Sequence, residues 1–112
     1  GGDRDRSKRP VMGNIASEMS NKVIFTSDNP RTESPSEIIT EMVAGVEPQY
    51  TNRILAIENR EQAIKTACQL AAANDIILVA GKGHETYQET NGKRIEFDDF
   101  KMVTEVLKSL DK

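Results

Sequence analysis

Short apolar runs alternate along the chain with stripes of apolar residues at helical spacing. The runs predict three strands, at 22–26, 54–57 and 76–80. The third run is apolar at every position, as expected for a parallel strand covered by helices on both faces. The stripes predict helices at 10–19, 34–44 and 60–73, the second with Ser34 as its N-cap and proline at its first position.

The last part of the chain has a different pattern. Two extended runs, 86–89 and 93–97, flank Asn91-Gly92, a dipeptide typical of tight β-hairpin turns. Asp98 or Asp99 then caps a final helix. Its inward-facing residues are predicted to be Phe100, Val103, Val106, Leu107 and Leu110. The order of elements predicts an α/β fold, a Rossmann-like, mainly parallel sheet with an antiparallel edge hairpin.

The N-terminal region does not fit a complete sheet. A polar loop, GGDRDRSKR, leads directly into the helix at 10–19 with no strand before it. In a doubly wound sheet such a loop normally follows the carboxyl end of a strand. We therefore expect that the first strand is missing and that residues 1–112 form one domain of a longer protein; a flexible tail is the alternative.

Composition narrows the class of protein. The 112 residues suffice for one domain, and the net charge of -3, with acids and bases interspersed, argues against nucleic-acid binding. No apolar run has the length of a membrane span. The single cysteine, Cys68, lies in a helical stripe with no cationic neighbour and is predicted to be a buried structural thiol. These features predict a cytoplasmic protein.

Three charged loops are expected at the carboxyl ends of strands, where open α/β sheets bind ligands: 2–9, 27–31 and 81–85. They carry both signs of charge, which suits a zwitterion. An arginine can hold a carboxylate through two hydrogen bonds, and a glutamate or an asparagine can accept an ammonium group. The glycines around Lys82 leave a phosphate loop as an alternative, although Glu85 would repel a pyrophosphate.

Three motifs in this order carry a family resemblance: GGDRDRSKRPVMG at 1–13, TSDNPRTESP at 26–35 and AGKGHETYQ at 80–88. They resemble the C-terminal domain of the Mur ligases, in the type that adds meso-2,6-diaminopimelate, and the resemblance covers essentially the whole chain. The most telling motif is Asp28-Asn29-Pro30-Arg31, because the lysine-adding members generally lack this arginine.

The resemblance implies a role for particular residues. Diaminopimelate would be bound by residues of all three loops: Arg4, Asp28, Asn29, Pro30, Arg31, Gly81 and Glu85. Asp3 would reach the nucleotide in the closed enzyme. No residue of the chain is implied as a catalytic group or a metal ligand.

The resemblance also implies partners in the whole enzyme. These are meso-2,6-diaminopimelate, the UDP-MurNAc-dipeptide, and ATP with Mg²⁺, the nucleotide being held mainly by an upstream central domain of the same chain. The present sequence has no Gly-x-x-x-x-Gly-Lys-[Ser/Thr] motif, so the isolated chain is expected to be an inactive part of a peptidoglycan ligase. The alternative is a free-standing α/β nucleotide-binding or regulatory module.

Two charged clusters are expected to have ordinary structural roles. Glu58, Arg60 and Glu61 have the pattern of a solvated helix start. The pair Asp98-Asp99 resembles a metal site but is better explained as a helix cap with an exposed neighbour.

Overall fold

The computed structural model describes all of residues 1–112. Its helices are α1 (Lys8–Met19), α2 (Pro35–Ala44), α3 (Arg60–Leu70) and α4 (Asp99–Ser109), with a 3-10 helix at Pro48–Arg53. Its strands are β1 (Val23–Phe25), β2 (Ile54–Ala56), β3 (Tyr87–Thr90) and β4 (Lys93–Glu96). β1 and β2 pair in parallel, with Val23 opposite Ile54, and β3 and β4 form an antiparallel hairpin. The predicted α/β class is confirmed.

Local chemistry explains where these elements begin and turn. The Ser34 hydroxyl accepts from the Glu37 amide at 3.4 Å, and the Asp98 carboxylate accepts from the Lys101 amide at 3.2 Å, so both predicted N-caps are confirmed. In the hairpin, Asn91 and Gly92 have φ values of 49° and 77°, the left-handed conformation that a two-residue primed turn requires.

A small apolar cluster joins α3 to α4. Ile64, Cys68 and Val106 are its buried members, and Ile77 packs against them from the neighbouring segment. The Cys68 side chain is fully buried, and its burial raises the pKa of the thiol, so the predicted structural role is confirmed. The prediction for Phe100 was wrong: its side chain is 80 % exposed, and Met102 packs against the cluster instead.

Residues 76–80 do not form the predicted strand. No main-chain amide of this segment takes part in a backbone hydrogen bond, and Ile76 and Leu78 are almost fully exposed. The physical reason is that no strand lies beside it, since β1 pairs only with β2. The segment and β1 instead line a cavity of about 930 Å³, together with Met12 of α1 and Cys68 of α3.

Arg60 is buried, which corrects the expectation of a solvated helix start. Its guanidinium forms a two-point ion pair with the Asp99 carboxylate, at 2.8 and 2.6 Å, so Asp99 is not the exposed neighbour that the sequence predicted. It also donates to the carbonyl oxygens of Ser27 and Ala80, both at 3.2 Å. One side chain thus links the end of β1, the segment 76–80 and α4. No helix is both long and apolar enough to cross a membrane.

We expect Arg60→Ala to lower the free energy of unfolding by about 3 to 5 kcal/mol, because it leaves the Asp99 carboxylate largely buried without its partner. Denaturant unfolding measures this loss. The matched control is Lys65→Ala, which removes an exposed pair with Glu61 and should cost less than about 0.5 kcal/mol. Equal effects of the two variants would contradict a structural role for Arg60.

Candidate functional site

The three charged loops meet at one edge of the molecule, as the sequence predicts. The Gly2 amide donates to the Asn29 carbonyl at 2.7 Å, and the Arg31 guanidinium donates to the Gly2 carbonyl at 2.8 Å. The Asn29 side-chain amide donates to the Glu85 carboxylate at 3.0 Å. The loop at 27–31 is therefore bonded to the other two loops.

The contact between the first two loops is too close for any residue except glycine at position 2. A Cβ atom at Gly2 would lie 1.7 Å from the Pro30 carbonyl oxygen, closer than atoms can approach. Gly2 and Pro30 are both buried. Backbone packing against Gly2 is thus the role that the structure gives to Pro30.

The Asn29 side chain is 1 % exposed, and both of its ends are bonded within the protein. Its Nδ2 donates to Glu85, and its Oδ1 accepts from the Glu89 amide at 2.8 Å. The second Glu85 oxygen accepts from the Tyr87 hydroxyl at 3.3 Å. Two neutral donors therefore orient the Glu85 carboxylate, and no cation forms an ion pair with it.

Arg31 has a fixed backbone and an unpaired charge. Its φ of 53° is rare for a non-glycine residue. Backbone bonds to Glu89 O and from Asn91 N, at 3.1 and 2.8 Å, attach it to the hairpin. Its guanidinium donates only to main-chain carbonyls through Nη1, and no carboxylate forms an ion pair with it. The free N–H groups of Arg31 can receive an external anion.

Arg4 and Gly81 are exposed residues of the first and third loops. The Arg4 guanidinium bonds only to the neighbouring Asp3 carbonyl, at 3.2 Å, and forms no ion pair. Gly81 has a φ of 111°, and a Cβ there would lie 3.8 Å from the Asp28 carboxylate. The loop at 81–85 thus passes close to Asp28, as a backbone without a side chain allows.

Lys82 does not act as the lysine of a phosphate loop in this structure. Its side chain is fully buried, and its ammonium group lies 3.0 Å from the Asp28 carboxylate. A lysine held in this way cannot reach a triphosphate, so the residues of the glycine loop do not fit a site for ATP and Mg²⁺.

A second ionic network supports the first loop from behind. Arg9, which is 5 % exposed, forms ion pairs with Glu33 and Glu41. Glu33 also accepts from the Asp3 amide at 2.6 Å, and the Thr32 hydroxyl donates to the Asp3 carboxylate at 2.6 Å. The hydrogen bond from Arg9, with help from the Asp3 amide, lowers the pKa of Glu33 from 4.5 to about 2.

Sequence reasoning missed three contributors to the site. Tyr87 contacts Glu85 and Lys82 contacts Asp28 from inside the protein, and Arg9 donates to the Gly1 carbonyl next to the first loop. For Tyr87 the available signal was its position two residues after Glu85 on an extended segment, which puts both side chains on one face. No sequence signal shows that Lys82 and Arg9 turn inward.

Comparison with protein families identifies the chain. The family model described as "Mur ligase, glutamate ligase domain" matches residues 1–83. The chain belongs to the Mur ligase family. The resemblance carried by the three loop motifs is thereby confirmed.

Individual relatives of this Mur ligase domain are also similar over all or nearly all of its length. The chain is 53 % identical over 112 residues to the UDP-N-acetylmuramoyl-L-alanyl-D-glutamate--2,6-diaminopimelate ligase of Cytophaga hutchinsonii, and 51 % identical over 106 residues to that of Bacteroides thetaiotaomicron. The aligned regions include 100 % and 95 % of this chain, but only 23 % and 22 % of the length of the two relatives.

A solved structure of a ligase with the same name superposes on the whole chain. The TM-score is 0.91 at 46 % sequence identity, and the match covers 23 % of the solved chain. The Mur ligase domain therefore spans less than a quarter of the length of the proteins it matches.

We expect acid to weaken the Arg9 network in a defined pH window. Because the pKa of Glu33 is lower in the folded protein, its stabilising contribution is complete above about pH 4.5 and is lost as the pH falls toward 2. The thermal midpoint of Glu33→Gln should therefore fall less steeply than that of the wild type across this window.

Melting curves between pH 5 and pH 2 measure this difference. The control is Glu37→Gln, an exposed carboxylate of α2 that forms no ion pair, and it should keep the wild-type slope. A Glu33→Gln variant with the same acid slope as the wild type would contradict the role given to this network.

Proposed function

We propose that the intact protein is the ATP-dependent ligase that adds meso-2,6-diaminopimelate to UDP-MurNAc-L-Ala-D-Glu during peptidoglycan synthesis in the cytoplasm, and that this domain binds the amino acid. Family membership and the relatives' names support the reaction. The observation that carries the assignment is that the three joined loops contain an arginine, Arg31, with no carboxylate partner and a glutamate, Glu85, with no cationic partner.

The charges of the site match the chemistry of diaminopimelate. Its distal amino-acid centre carries a carboxylate and an ammonium group. Arg31 and Arg4 would bind carboxylate, and Glu85 would bind ammonium, while Gly81 lets the backbone come close to the ligand. Lysine lacks the distal carboxylate. It would leave Arg31 unpaired, at a cost on the order of 1 to 3 kcal/mol.

Two of the predicted ligand residues would hold other residues in position and would not contact the substrate themselves. Asn29 has both ends of its side chain bonded within the protein, so it would orient Glu85. Asp28 is paired with Lys82, so it would hold the loop at 81–85 in place. Asp3 bonds to Thr32, and a nucleotide contact by Asp3 stays a prediction.

The reaction would divide between this domain and the rest of the protein. The carboxylate of the UDP-linked dipeptide would be phosphorylated by ATP, the amine of diaminopimelate would attack the acyl phosphate, and phosphate would leave as the amide forms. The residues of this domain would hold the amine in position for that attack. ATP and Mg²⁺ would be bound elsewhere in the protein, and the 112-residue chain alone should not catalyse ligation.

We also propose that a parallel strand fills the cavity between β1 and the segment 76–80. The side chains of that segment alternate between exposed and half-buried, and its main-chain groups form no backbone hydrogen bonds, although the Ala80 carbonyl accepts from Arg60. Gly1 lies at the same cavity, near the end of β1, so a strand leading directly into Gly1 would run parallel to both neighbours. Such a strand would cover Met12, Ile76 and Leu78, whose apolar side chains are exposed here.

Hydrogen exchange tests this strand. In the intact protein, the alternate amides of 76–80 that face the new strand should exchange at least about a hundredfold more slowly than in the 112-residue chain, because that strand accepts their hydrogen bonds. Residues 64–70 of α3 have helical bonds in both cases and serve as the internal control. Equal exchange of 76–80 in the two proteins would rule out the strand.

The ligand assignment predicts a selective effect of Arg31→Ala in the intact ligase. The kcat/KM for diaminopimelate should fall about thirtyfold to several thousandfold, because a charge-assisted, two-point contact is lost. This corresponds to a loss of roughly 2 to 5 kcal/mol of transition-state stabilisation. Activity with lysine should fall much less, and the KM values for ATP and the UDP-dipeptide should stay near those of the wild type. Steady-state kinetics with both amino acids measures the difference.

Arg53→Ala is the matched control for this experiment. Arg53 also donates to main-chain carbonyls, those at the end of α1, but it lies outside the three loops. It should leave the preference between the two amino acids unchanged. If Arg31→Ala reduced diaminopimelate and lysine activity by the same factor, Arg31 would not bind the distal carboxylate.

A further inference from the structure

Lys82 is the most deeply buried lysine at the site, although the loop around it faces solvent. Its side chain is 0 % exposed, whereas Gly81, Gly83 and His84 are exposed. Lysine is almost never fully buried without a partner for its charge, because removing an ammonium group from water is costly. The contacts of this ammonium group therefore indicate what it does.

The ammonium group connects three segments. It lies 3.0 Å from the Asp28 carboxylate, at the end of the β1 strand, and donates to the Tyr87 carbonyl at 2.6 Å, at the start of β3. The Phe97 ring lies beyond, with its centre 6.0 Å away. Lys82 itself belongs to the third loop, so its side chain fixes that loop to β3 and to the loop at 27–31.

The Lys82–Asp28 pair lies next to the second link between the same two loops. Asp28 is followed by Asn29, which bonds to Glu85, and the Glu85 amide donates to the Lys82 carbonyl at 3.0 Å. The loops at 27–31 and 81–85 are thus joined at two points, by an ion pair and by a hydrogen bond from an amide to a carboxylate. Two attachments fix the orientation of a loop as well as its distance, which a single contact does not.

We propose that Lys82 is a positioning residue for recognition of the amino acid. The buried ammonium group, held by Asp28 and the Tyr87 carbonyl, sets the position of Glu85 relative to Arg31. This spacing matters because Arg31 would bind the carboxylate and Glu85 the ammonium group of the same amino-acid centre. This inference rests on the proposed function, because it assumes that Glu85 and Arg31 bind the same substrate. Lys82 makes no contact with the substrate and takes no part in bond making.

Kinetics of the intact ligase with Lys82→Met tests this role. Methionine keeps most of the side-chain length and removes the charge. The KM for diaminopimelate should rise about ten- to a hundredfold, because small displacements of a binding group have effects of this size, while the KM values for ATP and the UDP-dipeptide should change less than about twofold. Lys82→Arg, which keeps the charge, should recover part of the loss.

The control is Lys101→Met. Lys101, in α4, is 68 % exposed, and its ammonium group lies 3.9 Å from the exposed Glu96 carboxylate, so its removal should leave all three KM values unchanged. Thermal unfolding of every variant is measured in parallel. A loss of stability in Lys82→Met with an unchanged KM for diaminopimelate would show a purely structural role and overturn the proposal.

Asp28→Asn provides the second test if Lys82→Met does not fold. It removes the other charge of the pair and should raise the same KM selectively; an unchanged KM for diaminopimelate would reject the proposal. Wild-type activity separates this inference from the proposed function. A wild-type protein that does not ligate diaminopimelate would contradict the function, whereas an active wild type with an unaffected Lys82→Met variant would contradict only the role of Lys82.

Discussion

The side-chain amide of Asn29 is the contact on which the arrangement of the site depends. A buried amide must satisfy both its donor and its acceptor, because an unmade hydrogen bond in the interior costs about 1 to 3 kcal/mol. Asn29 does so by bonding to Glu85 on one side and to the Glu89 amide on the other. Asn29 thereby links the end of β1 to the third loop and to the hairpin.

The ion pairs around this amide separate the charges that support the site from those that remain free. Arg9, Arg60 and Lys82 are buried and each has a carboxylate partner. Arg4 and Arg31 form no ion pair, and neither does Glu85. Buried charges require partners, whereas free charges at a rim can bind ligands of opposite sign. The unpaired arginines have the charge to bind a carboxylate, and the unpaired glutamate has the charge to bind an ammonium group, which are the two kinds of charged group on an amino acid.

The sequence predicted best the features that depend on neighbouring residues. The caps at Ser34 and Asp98 and the turn at Asn91-Gly92 follow from local chemistry. The meeting of the three loops was also predictable, since the carboxyl ends of parallel strands lie at one edge.

The burial of Arg60 and Lys82 could not be predicted in the same way, because their partners lie far away in the sequence, Asp99 being 39 residues from Arg60. The apolar pattern of 76–80 is that of a strand covered on both faces. It does not show whether a neighbouring strand is present, and pairing depends on that neighbour. No strand lies beside 76–80 in this structure, so its main-chain groups form no ladder and the apolar run is not a strand.

The most direct measurement is a crystal structure of the intact ligase with meso-2,6-diaminopimelate. We expect a carboxylate of the amino acid within about 2.7 to 2.9 Å of two nitrogens of Arg31, an ammonium group on Glu85, and an unchanged Asn29–Glu85 hydrogen bond. Diaminopimelate bound with no carboxylate on Arg31, or bound away from the three loops, would contradict the account.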